Sequence, residues 1–415
     1  MQRKNEILLW TVISLIISYL PWYNFSAVLS FISKEYALTS IDTGMIISCF
    51  QAGYVLTVLL TGWLADKFGA RRVMLSATLL TAISSTSFAF VVFDKWTVML
   101  MRLLTGCACG GIYAPGMSLL SEWFPPRERG AALGAYTAAS SVASAGGYFL
   151  AAPVAAAAGW RLGMLVTSVP VFAAFFVLLA FVREAPKAPG AAVQCNGPQL
   201  APGGGYGGLA LITASYMGHM WELYAFWAWI GPFLVACAVA GEMATAKAVS
   251  LGGLLAAVIT LCGAPAVWIM GRLADRYGRT KMICLCALAS LLPECAFGYL
   301  YGLPLGCIVL VGVWIGFWAV ADSAIYKASL TELCISRIRT TLLGLQSALG
   351  YSMTIFAPVL FGWVLQRSNS STNPTEATRW GPAFLLLGLG ALLAPLAALA
   401  LRRHPQAVLL CGGKK

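Results

Sequence analysis

The sequence predicts an all-α membrane protein of twelve transmembrane helices in two pseudo-symmetric six-helix bundles, and three observations carry that expectation. Hydrophobic residues make up 60% of the chain and charged residues only 10%, with a strongly positive mean hydropathy. Long apolar runs alternate with short polar loops, and at roughly 20 apolar residues per crossing the 415 residues hold about twelve spans. A polar pattern also occurs twice: Gly62-Trp-Leu-Ala-Asp66-Lys-Phe-Gly69-Ala-Arg71-Arg72 returns as Gly271-Arg-Leu-Ala-Asp275-Arg-Tyr-Gly278-Arg279-Thr-Lys281. Glu122, Arg129 and Gly134 return at almost the same shift as Glu332, Arg339 and Gly344. Two patterns at one shift indicate a duplicated half.

In chain order, spans are expected over about 7–31, 42–63, 72–92, 96–120, 129–153, 160–182, 207–236, 246–270, 281–301, 304–330, 339–366 and 380–401. The runs are too long for barrel strands, and helices satisfy their own backbone in lipid. The basic start Met1-Gln-Arg3-Lys4 leads directly into an apolar run without a small-residue cleavage site, so it reads as the first span. The domains are then 1–182, a linker at 183–206 rich in Pro and Gly, and 207–415. The longest loop on the other side, Arg367 to Arg379, contains the glycosylation-type triplet Asn369-Ser-Ser371.

The net charge of +12 follows topology. Of 27 Lys and Arg, 19 fall on the termini's side, six on the other, and two, Arg102 and Lys327, inside spans. That asymmetry is the positive-inside rule, with both termini cytoplasmic and attraction to anionic lipid, and nucleic-acid binding is an unneeded hypothesis. Ten of the twelve cysteines, from Cys49 to Cys334, lie in or beside apolar runs without metal-ligand company and read as packing residues. No cofactor or metal is expected. No nucleophile–base pair or phosphate loop is present, so the chain does not read as an enzyme.

The two repeated loops resemble the signature cytoplasmic loop of the major facilitator superfamily of secondary transporters. The first departs once, at Ala70, where a base is usual. Arg102-x-x-x-Gly106 resembles that family's fourth-helix motif, and Glu122-Trp-Phe-Pro-Pro-Arg-Glu-Arg129-Gly its following loop. The resemblance implies a latch built from Gly62, Asp66, Gly69, Arg71, Arg72 and Arg129, with a second from Gly271, Asp275, Gly278 and Arg279. The outward-facing form is favoured when the latch is closed. Glycines allow the tight turn, and Asp66 can accept from nearby bases. Simple anchoring to headgroups is the alternative. The second latch is expected to be the weaker, because Glu332-Leu-Cys-Ile-Ser-Arg337 lacks the prolines.

Charges inside a bilayer cost roughly 2.5–3.5 kcal/mol each, so each is a functional candidate. Arg102, His219, Glu222, Glu294, Asp322 and Lys327 qualify, and all but Glu294 lie in spans one, four, seven or ten, which line the central cavity in the resembled fold. His219, Glu222, Phe226 and Trp229 share one helical face. Imidazole and carboxylate there can share a proton and the aromatics can wall a site, or the pair is structural and the rings pack. Arg102 is placed to counter Glu222 or hold an anion. The resemblance adds an involvement in proton coupling. Asn24 is the substrate contact expected from the broken stretch Tyr19 to Asn24. Trp314, Trp318, Asp322 and Tyr326 form a stripe on span ten, while Lys327 is near enough to the end to snorkel to headgroups.

These readings converge on a plasma-membrane transporter, functional as a monomer, that moves a small polar solute by alternating access. An organic anion taken up with protons comes first. Proton-driven efflux of amphipathic compounds is the runner-up. It is disfavoured because Ser141-Val-Ala-Ser-Ala-Gly146-Gly147 lacks the proline of the resembled drug-efflux proteins. A non-transporting receptor is the rival from another class.

Overall fold

A computed structural model describes residues 2–185, 206–334 and 339–414, all helix and loop without a strand among them. Among the described residues twelve helices are long and apolar enough to cross a membrane. The first six are Arg3–Glu35, Ser40–Val58, Ala70–Val91, Lys95–Trp123, Ala131–Ala158 and Trp160–Phe181. The second six are Gly207–Ala240, Thr245–Tyr277, Arg279–Leu300, Leu305–Leu333, Leu342–Ser368 and Gly381–Arg403. All twelve expected spans are present, and most helices run several residues past the expected ends. The expected linker at 183–206 falls, for residues 186–205, outside the described residues.

Among the described residues six spans are interrupted in mid-course, and three of them, spans six, eight and twelve, break at the single residues Val169, Cys262 and Leu392. Span one passes from α-helix (Gln2–Tyr19) through a 3-10 turn (Leu20–Trp22) into a second α-helix (Asn24–Glu35). Pro21 has no N–H to donate and cannot continue the ladder. Span four is interrupted at Gly110-Gly111 and span ten at Asp322, between Leu305–Ala321 and Ser323–Leu333. Span seven runs unbroken from Gly207 to Ala240 although it contains Pro232. Spans two and four pack backbone to backbone, because a Cβ on Gly53 would strike the Leu103 carbonyl and one on Gly106 the Phe50 carbonyl. The glycine of Arg102-x-x-x-Gly106 thus brings the arginine against span two.

The halves are joined on the face opposite the termini. There the Ser40 amide and hydroxyl donate to the Thr372 carbonyl at 2.7 and 3.1 Å, the Ile41 amide donates to Gln366 Oε1 at 3.2 Å, and Ser48 Oγ donates to the Ile355 carbonyl at 2.5 Å. Deeper, an aromatic seal crosses between the halves. Trp22 meets Tyr224 with centroids 5.9 Å apart, Tyr54 meets Tyr351 at 5.1 Å, and Tyr148 donates to the Trp227 carbonyl at 2.7 Å. On the terminal face the ion pairs Lys4–Glu128 and Arg279–Glu332 each stay within one half. The conformation is closed on the opposite face. Asn369 donates to the Leu365 and Arg379 carbonyls and accepts from the Thr378 and Arg379 amides, so its side chain shapes its own loop.

Candidate functional site

The break in span ten gathers buried polar side chains from two spans. Asp322 ends one helix and begins the next, its carbonyl accepting from the Ile325 amide at 2.8 Å. Its Oδ2 accepts from Tyr326 Oη at 2.8 Å, and its Oδ1 lies 2.9 Å from His219 Nδ1 of span seven. The other ring nitrogen of His219 is 2.9 Å from Ser323 Oγ. A serine hydroxyl donates or accepts as required, so the imidazole keeps a partner with a proton on either nitrogen or on both. Tyr216 and Tyr326 enclose the ring at 6.0 and 5.1 Å, and both members of the pair are about 2% exposed. Sharing one proton, a His–Asp pair shielded in this way is neutral, and losing that proton leaves a negative charge that lipid disfavours.

Glu222 is not the partner of His219. Three residues on a helix turn through 300°, so the two side chains diverge by 60°, and while His219 meets span ten, Glu222 stands beside the Ser290 hydroxyl of span nine. One of its oxygens is buried without a hydrogen bond, and in Glu294, within electrostatic range of Glu222, both are. Glu294 was set apart by its place in span nine, yet it belongs with the other buried acids of this half.

Arg102 meets neither Glu222 nor an open cavity. Its guanidinium donates to the Pro21 and Trp22 carbonyls at 3.0 and 2.9 Å and lies over the Phe50 ring at 4.2 Å. Those carbonyls are free because span one breaks there, and the arginine re-satisfies them. Asn24 is fully buried and donates to Thr167 Oγ1 of span six at 2.9 Å, which makes it a bridge between helices in this conformation.

The aromatics divide differently from the expectation of a walled site. Phe226 packs on Phe297 and Phe384, and Trp229 stacks on Phe361 at 4.8 Å, both wholly buried inside the second bundle. Trp318 lies half-buried between Trp314 and Phe317, on a flank where Trp314 donates to the Ala289 carbonyl of span nine. The cross-half seal instead uses Trp22, Tyr54, Tyr224 and Tyr351. No local pattern marks Tyr54 or Tyr351, since each is one tyrosine in an apolar run.

The signature loops turn at Gly69 (φ +92°) and Gly278 (φ +105°), a backbone region open to glycine. Gly62 and Gly271 have no neighbour where a Cβ would stand. Arg71 donates to the Leu179 and Val182 carbonyls at the end of span six, at 2.8 and 2.6 Å, where the helix dipole favours a cation. Arg72 and Asp66 are exposed, and Asp66 has no partner among the described residues. The side chain of Arg129 lies outside them. The second loop, expected to be the weaker latch, carries the larger network. Arg279 bonds Asp275 at 2.6 Å and Glu332 at 2.8 Å, and the tail closes over both as the Cys411 amide donates to Glu332 at 2.9 Å and Lys414 Nζ to the Asp275 carbonyl at 3.2 Å.

Twelve spans in two related halves, joined on one face around buried polar pairs, define a multi-pass membrane transporter. The model of the Major Facilitator Superfamily matches residues 11–246, more than half of the chain, and the chain belongs to that superfamily. The hexuronate transporter of Bacillus subtilis is 21% identical over 95% of this chain and 94% of its own length. The D-galactonate transporter of Escherichia coli is 30% identical over 35% of this chain and 33% of its own. A bacterial homologue of the human lysosomal transporter Spinster, solved in an inward-facing and occupied conformation, shares the fold with a TM-score of 0.76 and 15% identity, over 97% of both chains. The protein is therefore a transporter of small molecules and not an enzyme.

Proposed function

We propose that this transporter takes up a small organic anion, a sugar acid or similar carboxylate, together with a proton. The positive-inside charge distribution puts the terminal face in the cytoplasm, so the conformation described is inward-facing. The observation that carries proton coupling is the buried His219–Asp322 pair, bridging spans seven and ten. A proton gained or lost there changes the charge beside the break between the two helices of span ten. Glu222 and Glu294 extend the acidic path through the same half. The anionic substrate class is supported by the relative named for hexuronate, which aligns along almost its whole length.

The test is uptake of radiolabelled D-glucuronate and D-galactonate into proteoliposomes, with and without an imposed proton gradient, while an internal dye follows acidification. Accumulation driven by an acidic exterior, with matching acidification of the lumen, is the expected result. Accumulation that ignores the gradient removes the proton. Extrusion of lipophilic cations without carboxylate flux would replace uptake by efflux.

A further inference from the structure

The intramembrane cation that remains available to a ligand is Lys327. It does not snorkel to the surface: its Nζ donates to Ser347 Oγ at 2.9 Å and lies over the Tyr216 ring at 4.2 Å. Among the described residues no carboxylate lies within ion-pair reach of it. An ammonium carries three donors, and the serine occupies one. The ring face adds a cation–π contact but takes no N–H in line.

The position of this ammonium relative to the seal gives it meaning. Tyr351 of span eleven touches Tyr54 across the halves and bonds Tyr224 Oη at 3.3 Å. Ser347 stands one turn before Tyr351 on the same helical face, and span eleven runs from the terminal face outward. Lys327 is therefore held directly on the open side of the seal. Tyr216, which carries the ammonium, is also the ring stacked against His219. One aromatic thus separates the free cation from the His–Asp pair. Arg102, by contrast, has two carbonyl acceptors and two aromatic faces already in place.

We infer that Lys327, positioned by Ser347 and Tyr216, is the binding residue for the substrate's carboxylate, a role that rests on the organic-anion reading above. An anion seated there neutralises the buried ammonium at the point where the halves meet. It also lies beside the pair that holds the proton, so substrate and proton sit on two sides of Tyr216.

The full-length protein, purified in detergent, is titrated with D-glucuronate, D-galactonate and succinate, and with D-glucose as an uncharged comparison. Lys327→Gln is expected to weaken binding of the carboxylates by roughly 10- to 100-fold, the range of a lost charged hydrogen bond, while Lys327→Arg stays within a few-fold of wild type. If Lys327→Gln cannot be recovered folded, Lys327→Met, which keeps the stem on Tyr216, replaces it with the same expectation. Wild-type binding of a carboxylate that survives unchanged in the neutral variant overturns the assignment and leaves the anion reading standing. A wild-type protein that binds none of the three carboxylates overturns both. Equal weakening of carboxylates and glucose identifies a structural lysine and overturns the assignment.

Discussion

Arg102 in the fourth span of the first half and Lys327 in the fourth span of the second are both cations buried in a bilayer, but their surroundings differ in kind. Arg102 is held by two backbone carbonyls released by the break at Pro21, with its Nε buried and unpartnered. Lys327 has one hydroxyl and one ring. The same contrast runs through the halves. In the first, Asn24 is tied to Thr167 and Arg71 to helix-end carbonyls. In the second, His219, Asp322, Glu222 and Glu294 are gathered without a compensating permanent cation in contact. A duplicated fold need not duplicate its chemistry. One copy ties its polar groups to backbone and helix ends, while the other gathers a histidine and three acids.

The largest expected effect tests that division directly. Asp322→Asn removes the acid of the His–Asp pair while keeping its shape, and proton-driven accumulation should fall by roughly 100-fold, within the range typical of a lost positioned proton carrier. Substrate exchange without a gradient should persist. Full accumulation by this variant at equal incorporation would break the comparison, because the second half would no longer hold the proton.

Arg102→Gln comes next and should act on stability. Losing two charge-assisted bonds to buried carbonyls is expected to destabilise the protein by about 3 kcal/mol, seen as a lower midpoint of thermal unfolding, with the preference for carboxylates over glucose retained. A stable variant that no longer prefers carboxylates would transfer the anion site to the first half.

The loops provide a smaller contrast. Glu332→Gln weakens bonds from both Arg279 and the Cys411 amide and should lower stability by about 1–2 kcal/mol. Asp66→Asn should change it by less than about 0.5 kcal/mol, as for an exposed side chain, and yet slow transport, because its latch would form in the other state. Equal thermal shifts in the two variants would erase the difference between the loops. Smallest of all, Asn24→Ala should lose about 1 kcal/mol through its bond to Thr167 and leave substrate affinity unaltered in the same titrations.

Much of this architecture was legible in the chain. Apolar runs, the repeated glycine–aspartate loops and the break at Pro21 are local signals, and each appears where it was expected. The site was legible as a set of residues and not as a set of contacts. His219 and Glu222 are close in sequence and share a helical face, but 60° of rotation sends them to different neighbours. The true partner, Asp322, is in span ten. In the sequence Arg102 reads as a charge seeking a charge, whereas two of its donors meet backbone oxygens that no side-chain pattern reveals. Tyr54 and Tyr351 gave no signal at all, because a tyrosine seals a cavity only where another helix brings a second ring to meet it.

The sequence by itself determined the number of crossings, the two related halves, the turns at Gly69 and Gly278 and which spans carry charge. These depend on hydropathy and backbone freedom, which add up residue by residue along the chain. Only the tertiary structure decided which buried polar groups are satisfied, which are paired and which remain open to a ligand. In lipid a polar group is satisfied by whatever the neighbouring helix presents at the same depth, and that depends on how twelve helices pack.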